Sequence, residues 1–394
     1  MPTAKDSFRL PKLLVSEWLG LLSLLPLAWE MARDGAWRRL RSPFLAIAPL
    51  VAVGLVSLLT TAHPEHTRRA LPSLLIGAAC LVGWTAGMSR AALERALRLL
   101  LIPASALAIL AILQFHALFR PFEFTSPTNN ARLGVVSLAG NAGDLGVYLV
   151  LPCLLAQWFA WHGQGRRRVL HGAVAAICLY GIVASQTLTA LAALVLASAV
   201  LWAFLLPRRQ ALMATGAVAI TAALVLVAVA PLRVRLQAKL LPLLEGNWND
   251  VLTYRLDAWA AARWMLEREP LAGVGFGGYR AEYIPAKEAL LERGRSFNSF
   301  AVENTFGNAH NDLLEVGAEL GWPGLAALAW ALFFLARAAR RSPRDDLPGV
   351  AAGLAGMGIV ALANFPFEIA LVAYSWMVFL AWVMQNGAPA KAGA

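Results

Sequence analysis

Apolar runs of roughly 17–25 residues, the length that crosses about 30 Å of hydrocarbon, recur along the whole chain. They predict spans at about 13–29, 43–61, 71–88, 99–118, 137–160, 170–186, 188–206, 211–231, 313–338, 349–364 and 368–386. The pattern is that of an all-α integral membrane protein with about 11–12 transmembrane helices. Arginine clusters occupy every second connection: Arg33 to Arg41, Arg90 to Arg98, Arg166 to Arg168, Arg208–Arg209 and Arg337 to Arg344. The preference of Lys and Arg for the cytoplasmic side turns these loops inward and the others outward. An odd number of spans then puts the N-terminus outside, against the preference of Lys5, Arg9 and Lys12. Two outward segments are long, at about 119–136 and 232–312, and chemistry is expected there. The chain divides into N-terminal transmembrane helices (1–231), a large outer loop (232–312) and C-terminal transmembrane helices (313–394).

Composition agrees with the bilayer as solvent. Of 394 residues, 59% are apolar and 14% charged, and mean hydropathy is +0.61. The net charge of +11 does not indicate nucleic acid, because the basic residues sit in short clusters between spans. Membrane lipids are the expected surroundings. Cys80, Cys153 and Cys178 lie in apolar segments without paired or metal-ligand spacing and read as core residues. His63 and His66, near Glu65, are the only close histidine pair among six, a weak basis for a metal, and no cofactor is expected.

The long loop carries ten Lys/Arg and ten Asp/Glu, so it lacks the signature of a cytoplasmic loop. It starts with an amphipathic stretch from Pro231 suited to a membrane surface. A helix is predicted over 253–268, ending before Pro270. Gly273, Gly275, Gly277 and Gly278 follow and predict a flexible turn, which suggests that the loop closes over a ligand. That glycine run is superficially similar to a phosphate loop, but it follows no strand and opens no crossover helix, which rejects a dinucleotide site.

His310, in Asn308-Ala309-His310-Asn311, stands where the outer loop enters the next span. A neutral imidazole there can accept a proton from a hydroxyl; it can equally serve as a hydrogen-bonded interfacial residue. Glu315 and Glu319 follow Asn311 by one and two turns and share a helix face; Glu315 can orient His310, bind a hydroxyl or simply complement the helix dipole. Gly321-Trp322-Pro323-Gly324 predicts a break within the span. Arg132, Arg255, Arg263 and Arg280 lie outside, where the charge rule does not expect arginine, and a guanidinium grips phosphate oxygens in pairs. Each also fits a surface ion pair, Arg263 above all, with Glu267 and Asp257 nearby.

Arg255, Trp259 and Pro270-Leu-Ala-Gly-Val-Gly-Phe-Gly-Gly-Tyr279, then His310-Asn311, nine residues and Gly321-Trp-Pro-Gly324, resemble the signature region of the O-antigen ligase and O-antigen polymerase superfamily. Arg132-Leu-Gly134 and Gly140-Asn141 resemble it more weakly. The resemblance implies a membrane glycosyltransferase of the GT-C type in a bacterial inner membrane, with its site facing the periplasm. The implied donor is an undecaprenyl-diphosphate-linked glycan, and the acceptor lipid A-core or another lipid-linked glycan. It implies His310 as general base or acceptor-orienting residue and Arg255 as a diphosphate ligand, with Arg132, Arg280, Asn311, Glu315, Gln186 and Asn141 as further substrate-binding candidates. Relatives often carry Ser-Arg at the outer end of a middle span, where this chain has Ser185-Gln186-Thr187, so another arginine, such as Arg132 or Arg280, is expected to substitute. Ligase is favoured over polymerase; a protein O-oligosaccharyltransferase and a glycolipid transporter are the remaining alternatives.

Overall fold

The computed structural model describes residues 4–33, 39–119, 135–295 and 306–385, and among these the protein is α-helical with no strand. Nine described helices are long and apolar enough to cross a membrane. They are α1 (Ala4–Arg33, apolar from Leu10), α2 (Arg41–Thr60), α3 (Pro64–Gly87), α4 (Arg90–Leu99) continued by α5 (Leu101–Phe115), α6 (Ala142–His162), α7 (Gly165–Ala184), α8 (Leu188–Leu205), α9 (Arg208–Ala228) and α14 (Asp312–Ala339). Two shorter apolar helices, α15 (Leu347–Ala363) and α16 (Ala370–Gln385), fall on the last two expected spans. The protein is a multi-pass membrane protein. Four further helices, α10 (Ala230–Leu244), α11 (Trp248–Val251), α12 (Arg255–Arg268) and α13 (Tyr279–Glu292), lie between α9 and α14.

α6 is the hub. Its span window is 89% buried, whereas that of α9 is 6% buried, so α6 is apolar because protein surrounds it and α9 because lipid does. α6 packs on α7, α8, α15 and α16. Small residues let backbones approach: a side chain at Gly181 would meet Ala108 and Leu149, and one at Gly349 would meet the Trp158 ring. The three cysteines are free and buried, as core residues should be.

The helix ends sort onto two sides. His310, Thr61, Gln186 and the N-terminus of α6 fall on one, and the described arginine clusters on the other. There Arg90 pairs with Asp346 and lies over the Trp382 ring. α1 enters from the His310 side: Lys12 lines a cavity of about 260 Å³ with Asp144 and Glu368. Carboxylates thus accompany a lysine on that side.

α14 breaks at Gly321, whose φ of 64° and ψ of −162° lie outside the helical region. The Trp322 N–H leaves the helix and donates to Pro270 O at 2.8 Å, and Pro323 has no N–H. Two carbonyls one turn back, Ala318 and Glu319, thereby lose their helical donors. The glycine run supplies replacements: Val274 N–H donates to Ala318 O and Gly275 N–H to Glu319 O, both at 2.9 Å. Thr61 Oγ1 donates to Val274 O at 2.7 Å, and Phe276 N–H to Ser57 Oγ at 3.2 Å. The run is a seam tied to α2 and α14, in place of the flexible turn expected from its glycines. They serve close approach, since a Cβ at Gly273 would overlap the Glu319 carbonyl and one at Gly275 the Thr61 side chain.

Gly321→Ala sets a Cβ 2.5 Å from Pro270 O at a left-handed φ. It is expected to cost about 1–3 kcal/mol and lower the thermal midpoint in detergent. Gly216→Ala in α9, with open space around the new methyl, is expected to be neutral or stabilising by up to about 1 kcal/mol.

Candidate functional site

The His310 turn is built by its neighbours. Asn311 caps α14, its Oδ1 accepting from Leu314 N–H at 3.0 Å while its Nδ2 donates to Leu362 O at 3.1 Å. Glu315, buried, reaches back to accept from Ala309 N–H at 2.9 Å. These bonds hold the peptides on either side of His310 and sustain its φ of 52°. The imidazole stands edge-on between Phe306 and Phe365, with centroids 5.7 and 4.8 Å away. Asn308 Nδ2 donates to Glu368, and the Glu368 carboxyl also meets that of Glu315. Carboxylates therefore gather under the turn.

Glu319 links the turn to the outer helices, its Oε1 accepting from Tyr279 N–H at 3.1 Å. Tyr279 Oη donates to Ala258 O in α12 at 2.8 Å, and burial raises the phenol well above its ordinary pKa, so it stays a donor. Asp257, Tyr283 and Lys287 lie against the same packed surface, where Asn249 Nδ2 donates to Asp257 at 2.8 Å.

Arg255 opens α12 directly after Thr253 and Tyr254, whose φ values are 57° and 61°. Burial pushes the Arg255 guanidinium below its usual pKa, and the like charge of Arg235 adds to this. Lys239 is lowered by burial first and then by Arg235 and Arg255, against an opposing pull from Asp250. Its ammonium donates to Asp250 O and, at 3.1 Å, to Thr253 Oγ1. Arg235 donates to the backbone carbonyl of Gln186, itself at φ 53°. No ion pair with a carboxylate holds Arg235, Lys239 or Arg255 among the described residues. Three partly buried cations thus stand together, with Asp250 the one carboxylate acting on Lys239, and burial with like charge disfavours their charged forms.

The remaining candidates separate clearly. Arg132 lies outside the described residues. Arg263 pairs with Glu267 at 2.6 Å and is exposed, an ordinary surface pair. Arg280 is exposed beside Gly307, three residues before His310. Asn141 caps α6 by accepting from Gly143 N–H at 2.6 Å. Gln186 is buried, and its neighbour Thr187 donates to Ala142 O at 3.0 Å, joining this corner to α6. His63 meets Glu282 at 2.9 Å, a contact between α3 and α13, and no group of three metal-ligating side chains gathers among the described residues.

Arg235, Lys239, Glu368, Asp144 and Lys12 escape a reading by sequence motif. A signal existed for the first two, which stand four residues apart and so share one face of α10. Glu368 and Asp144 had none, because only the packing of α6 against α16 brings them to one cavity.

Residues 173–329, from within α7 to just beyond the break in α14, match the family model described as O-antigen ligase. No curated protein matches the chain. The matched stretch contains Gln186, Arg235, Lys239, Arg255, the glycine seam, His310 and Gly321. Over these residues, about two fifths of the chain, the protein is similar to the O-antigen ligase family.

Proposed function

We propose that the protein is an O-antigen ligase: an inner-membrane glycosyltransferase that moves a glycan from undecaprenyl diphosphate to lipid A-core on the periplasmic face. The observation carrying this reading is the group Arg235, Lys239 and Arg255, none of them ion-paired to a carboxylate among the described residues, in the same outer assembly as His310. A diphosphate leaving group needs its developing charge neutralised, and three cations already packed together supply that without rearrangement. The acceptor hydroxyl attacks the anomeric carbon while the C–O bond to the diphosphate breaks. His310 takes the hydroxyl proton, and the glycan is transferred with inversion. Arg235, reaching the Gln186 carbonyl, stands in for the arginine that relatives often carry at that corner. Arg280 and Glu315 are proposed to contact the acceptor side, and Arg132 the donor. With the diphosphate held by side-chain cations, the reaction is proposed to need no metal.

The side assignment follows from the arginine clusters opposite His310, which belong in the cytoplasm. The outer unit is proposed to span 232–312, between transmembrane segments 1–231 and 313–394.

Transfer by purified protein in liposomes tests the reaction. Wild type is expected to modify lipid A-core, and His310→Ala to lose about 10²–10⁴-fold in rate. Lengthened glycan on undecaprenyl diphosphate would replace this reading with that of a polymerase, and full activity in His310→Ala would remove the base. Separately, inorganic pyrophosphate is expected to raise the thermal midpoint of wild type, and Arg235→Ala or Arg255→Ala to weaken that binding by about tenfold each. An unchanged pyrophosphate affinity in both variants would mean the cations serve another purpose.

A further inference from the structure

On the side opposite His310, a cavity of about 630 Å³ opens between the end of α6, the start of α7 and the loop before α15. It lies among the ends of candidate spans. Its charge is unequal once internal pairs are removed. Glu94 is paired with Arg98 at 2.6 Å, and Asp346 with Arg90. Asp345 remains, lining the cavity together with Arg166 and Arg167, neither of which makes an ion pair among the described residues. His162 and His171 also line the cavity. The floor is aromatic and braced: Arg98 lies 5.0 Å over the Phe159 ring, which meets His171 at 5.5 Å, and Trp158 Nε1 donates to Asp345 O at 3.2 Å. Arg166 and Arg167, exposed in the first turn of the 20-residue α7, outnumber the one remaining carboxylate of Asp345, and their guanidinium N–H groups can grip phosphate oxygens in pairs.

The surface beside the cavity identifies the source of that phosphate. Leu99 and Ile102 on α4–α5, and Val169 and Leu170 on α7, are all exposed, and α5 packs on α7. Leu99 follows the cavity-lining Arg98, and Val169 and Leu170 stand between the cavity-lining Arg167 and His171, so an apolar wall adjoins the cavity. A soluble phosphate has no use for such a wall; a phospholipid fits both parts. We propose that this cavity binds the phosphate of an anionic phospholipid, with its acyl chains along α5 and α7. The proposal is independent of the transferase reading, because none of its residues belongs to the His310 site.

Native mass spectrometry of the full-length protein in detergent tests it, with phosphatidylglycerol or phosphatidylcholine added in increasing amounts. Wild type is expected to retain phosphatidylglycerol in preference to phosphatidylcholine. Arg166→Ala/Arg167→Ala is expected to weaken phosphatidylglycerol binding by roughly 20-fold, about fivefold per arginine. Arg208→Ala/Arg209→Ala, on the same side at another helix start, is expected to leave it unchanged. Both arginines at the cavity are exposed, so the fold should survive; should the double variant melt early, Arg166→Lys/Arg167→Lys decides, and it is expected to keep the lipid. Equal binding by the alanine variant, or equal retention of the two lipids by wild type, would overturn the proposal. So would displacement of phosphatidylglycerol by millimolar glycerol phosphate, which would identify a site for free phosphate.

Discussion

Everything on the outer side hangs on two hydrogen bonds between backbones, Val274 to Ala318 and Gly275 to Glu319. A break in a membrane helix exposes carbonyls that lipid cannot satisfy. Here Gly321 and Pro323 create the deficit, and a loop more than forty residues upstream fills it. The seam it forms is narrow enough that only glycine fits at 273 and 275, and it is fixed on its other face by Thr61 and Ser57. Since Glu319 also holds the first turn of α13, the break, the seam and the outer helices form one connected unit. The position of Arg255 relative to His310 follows from it through Tyr279.

Conformational and electrostatic cost are concentrated in the same places. Among the described residues, Gln186, Thr253, Tyr254 and His310 are four of the six non-glycine positions with positive φ. They sit at the corner Arg235 reaches, directly ahead of Arg255, and at the candidate base. Left-handed backbone in such residues costs energy and persists only where the surroundings over-determine it, as Asn311 and Glu315 do for His310. The cations add repulsion to that strain. If the proposed diphosphate binds there, it would relieve that repulsion.

The sequence made the spans legible because lipid imposes a single rule on every one of them, and length with apolarity suffices to apply it. The break at Gly321 was legible for a similar reason: glycine and proline together have few other uses inside a span. The glycine seam was misjudged. A glycine permits both freedom and close approach, and only the partner atoms, Glu319 and Thr61, distinguish them. Arg235 was obscured by its setting, because an arginine in an amphipathic stretch reads as a surface residue until the corner at Gln186 is seen beneath it. The meeting of Asp144 and Glu368 at one cavity, across more than two hundred residues, was beyond reach, since nothing local to either position records the other.

α9 is the span least held by protein, and α10, which follows it, packs chiefly on α9 and α11. Few side chains therefore moor α10 to the bundle, and Arg235 at the Gln186 carbonyl is one of them. The same guanidinium is thus an anchor line for its own helix and, in the proposed reaction, a ligand for an anion. Its five N–H groups allow both, but not independently: a shift of the helix moves the charge, and a pull on the charge moves the helix. In the proposed reaction, occupancy of the site and the seating of α10 would then be one mechanical variable, beside an α9 that little protein surrounds.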